Sequence, residues 1–397
     1  MKKIRKYGFF YIIISLIKIS IAYIIYLIDP KKPKKQIILL GEHLGRKYED
    51  NAAVFHKYLV DKAYNKYDAY WIYDAEVVDP FLNEIKNAVE LGSIFNYYLF
   101  FKSNYVIYTH SLSLDIAPLI NKLLFLNPKT KIIYVSHGIE GFKKVINNKN
   151  TKNLLKECHY INCLSRYEYQ IKHNEWGIPN SRLIITGMPR LDNLINKANY
   201  KKKKSILFFP TWREWLITNN TNDLLQSNYY NNIVNLAENQ HIKKVLAKKN
   251  VELKIVLHPF MKAFINTKKT NWSNNIHLFN SSDFTDGSIQ KELINADILI
   301  TDYSSVAWDF YYMNKPIIFF HFDQIEYEQR RGSYLNLDTN LFGYKAKNVQ
   351  EILDTLNYIL SNNIIKNIFY PEIHNYFDFV DDKNCYRLYK TLENLNN

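Results

Sequence analysis

Short apolar runs, each followed by a polar loop and then by a stretch with helical spacing, recur along this chain and restrict it to very few architectures. "QIILLGEH" from residue 36, "YVIYTHS" from 105, "KIIYVSHG" from 131, "CHYINCLS" from 158 and "RLIITGMPRLD" from 182 form one series. "SILFFPTWRE" from 205, "ELKIVLHPF" from 252, "IHLF" from 276, "ADILITDYSS" from 296 and "KPIIFFHF" from 315 form a second. Unbroken apolar runs of this length suit strands covered on both faces, and alternation with helical stretches makes the sheet parallel. A capping box at Ser165-Arg166-Tyr167-Glu168 starts one of the intervening helices, and Gly177 can end it. A chain of 397 residues exceeds what one core usually holds. The expectation is an α/β chain of two Rossmann-like parallel-sheet domains facing one another across a cleft, at 36–200 and 201–375. Residues 1–35 and 376–397 flank them, and the run Lys201–Lys204 is read as the inter-domain linker.

Lys and Arg number 52 against 38 Asp and Glu, a formal net charge of +14, which favours an anionic partner. Nucleic acid is not expected, because the lysines fall in short runs near the N-terminus and the linker and no nucleic-acid motif accompanies them. The three cysteines, Cys158, Cys163 and Cys385, make neither a disulfide framework nor a metal-binding pair, which fits a reducing compartment. With no Asp-x-Asp pair and no His/Cys cluster at ligand spacing, neither a metal nor a cofactor is expected.

Residues 9–28, "FFYIIISLIKISIAYIIYLI", are as long and apolar as a bilayer-spanning helix requires. Lysines flank both ends, so charge asymmetry gives little orientation. Helical spacing collects Tyr11, Ser15, Lys18, Ala22, Tyr26 and Asp29 on one stripe, and a helix lying in the membrane interface would keep Lys18 wet. Peripheral attachment and a single span both remain open, with a buried core helix as the alternative.

In open parallel sheets ligands bind beyond the carboxyl ends of the strands. Four loops occupy that position: His137-Gly138, Pro210-Thr211-Trp212-Arg213, His258-Pro259 and Asp302-Tyr303-Ser304-Ser305. A helix opened by Ser304 and Ser305 offers unpaired N–H groups and two hydroxyls, which suit a phosphate as well as an ordinary cap. An imidazole suits removal of a hydroxyl proton near neutral pH, and His137 precedes Gly138, which lets a ligand approach the backbone. Lys143 and Lys144 can face an anionic substrate, and Arg213 can grip phosphate bidentately. Trp212 is assigned to the core.

On these motifs the chain resembles the CDP-glycerol glycerophosphotransferases, the teichoic-acid primases and polymerases with their capsule-type relatives. The likeness spans about residues 36–345, through "YEDNAAVFHKYL", "SHG", "TGMPRLD", "FFPTWRE", "LHPF", "ADILITDYSSVAWDF", "KPIIFF" and "YEQRRGSY" in the family's order. It implies a GT-B fold, membrane association with the catalytic domains on the cytoplasmic side, and transfer of an alditol phosphate from a CDP-activated donor to a lipid-linked glycan or teichoic-acid-type acceptor. It further implies that His137 and His258 are catalytic, that Thr211, Arg213, Asp302, Ser304 and Ser305 line the donor-phosphate pocket with Arg331 nearby, and that Gly138 and Lys143 contact substrate. His137 would then deprotonate the acceptor, with CMP leaving and phosphate charge met without metal. Two departures fall beside His137: "HGIEGFKK" lacks the family's usual proline and places its lysines later, and Ser136 replaces a common tryptophan. A GT-B glycosyltransferase using a nucleotide sugar would share the same fold and phosphate site.

Overall fold

The computed structural model describes residues 2–76, 85–145, 148–195, 204–216, 221–258, 273–280 and 288–395. Two compact units form: residues 1–138, 147–193 and 377–397 make the first, and 139–146 with 194–376 make the second. The eight residues that follow His137-Gly138 thus belong with the second unit, and the C-terminal tail belongs with the first. The residues 201–203 of the lysine run, the expected boundary at 200 and Pro259 lie outside the described residues.

The first unit is built on a parallel sheet of strands β1 (Gln36–Gly41), β2 (Tyr67–Tyr73), β3 (Ala88–Glu90), β4 (Tyr105–Tyr108), β5 (Lys131–Tyr134), β6 (Tyr160–Cys163) and β7 (Leu183–Ile185). Their order is β3-β2-β1-β4-β5-β6-β7. Alternation along β1 sends Ile37 and Leu39 into one core and Ile38 and Leu40 into another, so both faces are covered, as unbroken apolar runs require. Helix α1 (Lys2–Ile28), broken at Gly8 by φ 49° and ψ −138°, packs on α3 (Ile94–Lys102), and α2 (Asn51–Lys62) covers the opposite face. The polar stripe of α1 read from the sequence is its docking side: Ala22 is fully buried, and Lys18 Nζ donates to the Gly92 carbonyl at 3.2 Å instead of meeting water. The expected capping box forms in part: Ser165 Oγ accepts from Glu168 N at 3.4 Å, while the Glu168 carboxylate reaches back to Leu164 N. The C-terminal helix Asn384–Asn394 joins the core of this unit through Leu388 and Leu392, and Asp192 accepts hydrogen bonds from the Asn384 and Cys385 N–H groups at its start.

The second unit repeats the plan with β8 (Lys204–Phe209), β9 (Val251–Leu257), β10 (Ile276–Asn280), β11 (Ile298–Thr301), β12 (Ile317–Phe320) and β13 (Tyr344–Ala346). Their order is β10-β9-β8-β11-β12-β13, all parallel. Both sheets therefore wind outward from a central pair, β1/β4 in one and β8/β11 in the other. At each pair the chain leaves toward opposite sides, which opens a crevice at the carboxyl ends of the strands. The two-sheet α/β class read from the sequence is met.

Candidate active site

In the first unit three imidazoles come from three adjacent strands. His43 follows β1, His110 follows β4 and His137 follows β5, the first two on either side of the crevice pair. The rings of His110 and His137 stack with centroids 4.3 Å apart and planes 13° apart, and His43 and His110 lie at 4.9 Å. His110 and His137 are both exposed.

The loops beneath are held by buried carboxylates. Asp115, fully buried, accepts from the N–H groups of Thr109, His110 and Ser111 and, through its other oxygen, from Leu44. Gly41 is required for this approach, since a Cβ there would fall 2.0 Å from the Asp115 carbonyl oxygen. His43 and Leu44 accordingly adopt left-handed backbone, φ 49° and 61°, a strained pair that the surrounding hydrogen bonds enforce. Glu42, fully buried, accepts from Asp50 N and Ala52 N, each at 2.9 Å, and so places a carboxyl at the start of α2. Burial and the neighbouring Asp50 push its pKa up against those hydrogen bonds.

The backbone at His137 is clamped by two motif residues. Asn51 donates through Nδ2 to the Ser136 carbonyl at 2.9 Å and accepts from Arg190 N at 3.0 Å, while Arg190 Nη1 donates to the His137 carbonyl at 2.7 Å. "YEDN" and "PRLD" thus act by holding the strand-end histidine. The pKa of His137 is drawn below 6.5, first by desolvation and then by His43 and Arg190, with Asp50 and the Thr109 backbone pulling the other way. Desolvation first, then His137 and His43, also keeps His110 neutral, and its Nδ1 shares a hydrogen bond with the Thr109 hydroxyl at 2.7 Å.

In the second unit the predicted residues separate into a tightly paired, buried scaffold and a less tightly held set around it. Arg213 and Asp302, expected to line the phosphate pocket, are instead buried and committed to each other and to Asp323. The guanidinium gives Nε to Asp323 at 2.7 Å, Nη2 to Asp323 at 3.0 Å and Nη1 to the Thr211 carbonyl at 2.6 Å, with Asp302 Oδ2 2.9 Å from Nη2. Tyr229, Tyr303 and Tyr327 rings surround it, with Tyr229 4.9 Å from the guanidinium carbon and Tyr303 5.0 Å from it. Asp302 Oδ1 accepts from Thr211 N at 2.8 Å and Tyr303 N at 2.6 Å, which ties the loop after β8 to the loop after β11 across the crevice pair. His321, buried after β12, contacts the Asp302 carbonyl through Nε2 at 3.1 Å and stacks on Tyr303. Nearly fully buried and paired with two carboxylates and a carbonyl, Arg213 has a structural duty that its motif did not disclose.

In that set, Thr211 Oγ1 is buried with no hydrogen-bond partner among the described residues, and Ser305 is half-buried at the start of the helix Val306–Tyr312. Ser304 is nearly buried, with its hydroxyl 3.5 Å from Val306 N. His258 follows β9 and is half-exposed, and Trp212 stacks against it at 4.9 Å rather than entering the core as assigned. Burial first, and then Lys143, lower the pKa of His258. Lys143 is itself drawn down by burial and by Arg331 and Arg213, against the pull of Asp302 and Glu214. Arg331 lies half-exposed, 3.3 Å from Glu214.

Lys143 reaches this group because the segment following Gly138 is strapped to "RGSY". The Gly141 carbonyl accepts from Tyr334 N at 2.8 Å, Leu335 N at 3.1 Å and Ser333 Oγ at 3.0 Å. Lys144 N donates to the Gly332 carbonyl at 3.1 Å, and the Tyr334 hydroxyl accepts from Val145 N at 3.0 Å. Among the described residues no group of three or more His, Cys, Asp or Glu is arranged to hold a metal ion.

His43, His110, Asn51, Arg190, Asp115, Asp323 and His321 were not singled out as site residues in the sequence. For His43 and His110 a signal existed, since each stands two residues past a strand end, close to the one- and three-residue offsets of His258 and His137.

The family model for CDP-glycerol:poly(glycerophosphate) glycerophosphotransferase matches residues 21–394. The chain is similar to the teichoic acid glycerol-phosphate primase of Bacillus subtilis (strain 168), 29% identical over 311 residues that make up 71% of this chain and 72% of that protein. It is also similar to the teichoic acid ribitol-phosphate polymerase TarK of Staphylococcus aureus (strain NCTC 8325 / PS 47), 24% identical over 320 residues, 74% of this chain but 57% of that longer protein. Among solved structures, that of the wall teichoic acid polymerase TagF is similar in fold, with a TM-score of 0.68 at 19% identity, covering 96% of this chain and 94% of that one.

Proposed function

The chain belongs to the CDP-glycerol:poly(glycerophosphate) glycerophosphotransferase family, and on that premise we propose that it moves glycerol phosphate, or a similar alditol phosphate, from a CDP-activated donor to a hydroxyl of a membrane-linked glycan or teichoic-acid-type acceptor. His137 takes the proton of that hydroxyl. The freed oxygen attacks the donor's β-phosphorus, the bond from that phosphorus to the bridging oxygen breaks, and CMP leaves with the electron pair in an in-line displacement. Lys143 and Arg331 meet the charge on the donor phosphates, with the Ser304 and Ser305 hydroxyls and an N–H donor from His258 completing the set. No step is assigned to a metal. We further propose that α1 attaches the chain to the cytoplasmic side of the membrane.

The observation that carries this reading is the state of His137: an accessible imidazole, clamped through its backbone by Asn51 and Arg190, and kept neutral where a general base must be neutral. A donor screen tests it. Purified protein given CDP-glycerol, CDP-ribitol and common UDP- and CMP-sugars should release CMP only with a CDP-alditol and add an alditol phosphate to the acceptor by mass. Sugar transfer with UDP release would replace the reading with a nucleotide-sugar glycosyltransferase. Turnover should persist in EDTA; loss there, restored by Mg²⁺, would overturn the metal-free account.

A further inference from the structure

Each unit ends one strand near a histidine of the proposed chemistry, and each backs that histidine with a flat ring from the neighbouring strand. In the first unit the ring is His110, after β4, stacked on His137, after β5. In the second it is Trp212, after β8, stacked on His258, after β9, with centroids 4.9 Å apart and planes 24° apart. β4 pairs with β5 and β8 with β9, both in parallel, so in either unit two adjacent strand ends bring the rings together.

The loops that carry the two backing rings are anchored alike, by a buried carboxylate that takes their backbone N–H groups. Asp115 does this for Thr109, His110 and Ser111. Asp302 does it for Thr211, whose carbonyl in turn takes Nη1 of Arg213. The remaining guanidinium nitrogens go to Asp323 and Asp302, and the Arg213 carbonyl accepts from Leu216 N at 3.1 Å. Trp212 is therefore fixed from both sides along the chain. The residue before it is bound to Asp302, and the residue after it is a guanidinium buried between two carboxylates.

Such anchoring exceeds what filling the core requires, since the indole is only half-buried and lies against an imidazole that is itself half-exposed. Face-to-face contact restrains the tilt of an imidazole and leaves its two nitrogens, which bond in the plane of the ring, to other partners. An aliphatic side chain of similar bulk has no plane to impose.

We propose that Trp212 is a positioning residue for His258: held by the cluster of Arg213, Asp302 and Asp323, its indole sets the plane in which that imidazole meets the donor phosphates. This rests on the donor site proposed above and adds to it the residue that aims one of its groups.

Two measurements on the full chain test it, and only one needs turnover. A protonated imidazole lying on an indole quenches its emission, so tryptophan fluorescence should fall as His258 takes up a proton. Burial and Lys143 both lower the pKa of His258, which puts this step below pH 6.5. Trp71, beside His56, responds nearer pH 4 and serves as an internal contrast. Trp212→Phe and His258→Gln should each lose the upper step. Its persistence in either variant, or its absence from the unaltered chain, would overturn the stack.

With CDP-glycerol as donor, Trp212→Leu should lower kcat/KM by about ten- to a hundredfold with the unfolding midpoint kept. Trp212→Phe, which retains a flat face, should recover most of that loss. In a His258→Ala background, Trp212→Leu should cost about twofold at most, because its effect passes through the missing ring. Additive losses would show that Trp212 acts without His258 and overturn the proposal, as would equal damage from Phe and Leu with a lowered midpoint. If no CDP-alditol is turned over while the fluorescence step behaves as stated, the donor role falls with the transferase reading and the stack alone stands. Normal transfer without the step refutes the stack and leaves the transferase reading intact.

Discussion

The imidazole of His110 lies face to face on that of His137, with ring centroids 4.3 Å apart and planes 13° apart. His110 also shares a hydrogen bond with the Thr109 hydroxyl, so its plane is fixed from one side and supports His137 on the other. His137→Ala should lower kcat by about 10²- to 10⁴-fold with donor binding retained. His110→Ala should lower kcat by on the order of tenfold to a hundredfold through loss of orientation, and His110→Phe, which keeps a flat face, should recover most of it. Equal damage from Phe and Ala would show that the stack is not what matters.

The pH profile follows from the groups around the His137 ring, which are His43, His110, Asp50, Arg190 and the Thr109 backbone. Because desolvation lowers its pKa, the acid limb of kcat/KM should lie below the ordinary imidazole value of 6.5. Asp50 raises that pKa, so Asp50→Asn should move the limb to still lower pH while Asn continues to cap α2. A limb that moves upward in this variant would remove His137 as the titrating base.

Gly141 should tolerate no side chain. A Cβ there would lie 2.5 Å from Cζ2 of the fully buried Trp308, so the segment must shift and its carbonyl must release Ser333, Tyr334 and Leu335. Displacing Lys143 by this route should raise the donor KM on the order of tenfold. Ser333→Ala, which removes one of the three bonds, should lose about 1 kcal/mol of stability and little activity. Steady-state kinetics beside denaturant titration would separate the two, and an unaltered donor KM in Gly141→Ala would sever Lys143 from the donor.

Arg213 and Asp323 form a buried bidentate pair; removing Arg213 leaves two carboxylates without their cation, and removing Asp323 leaves the guanidinium with Asp302 alone. Arg213→Met or Asp323→Ala should each destabilise the second unit by about 3–5 kcal/mol, and the double variant by less than the sum. Had Arg213 been a phosphate ligand, the loss would appear in donor KM with the unfolding midpoint preserved; that result would reverse the assignment.

Two histidines away from the chemistry predict acid sensitivity. His56 and His321 are about 1% and 2% exposed, and burial lowers both from 6.5 to about 4. Between those values the unfolded chain binds a proton that the native state refuses, so each should remove about 1.4 kcal/mol of stability per pH unit as pH falls from 6.5 toward 4. His321→Asn should flatten the slope of unfolding free energy against pH in that window. An unchanged slope would mean that His321 titrates normally in the native state.

Much of the fold was legible. β11 and β12 occupy Ile298–Thr301 and Ile317–Phe320, within the runs that apolar pattern marked, because a strand buried on both faces has almost no freedom in composition. β2, β3 and β13 were not read. β2 alternates buried and half-buried tyrosines around Asp68, while β3 and β13 are three-residue edge strands too short to carry a period. The candidate-site histidines showed at strand ends; the carboxylates that hold their loops did not, because Asp115 and Glu42 act through backbone N–H groups that leave no mark on the partner's identity.

Residue order by itself determined the two-sheet plan, the strand ends at which chemistry gathers and the apolar helix at the N-terminus, since each depends on local periodicity and on which residue follows a strand. Only the tertiary structure decided that Arg213 and Asp302 bind each other, that Lys143 joins the second unit and that the polar stripe of α1 faces protein. Those outcomes turn on which charged groups meet across distant stretches of chain. A buried charge takes whatever partner satisfies it most fully, and that partner need not lie near it in sequence.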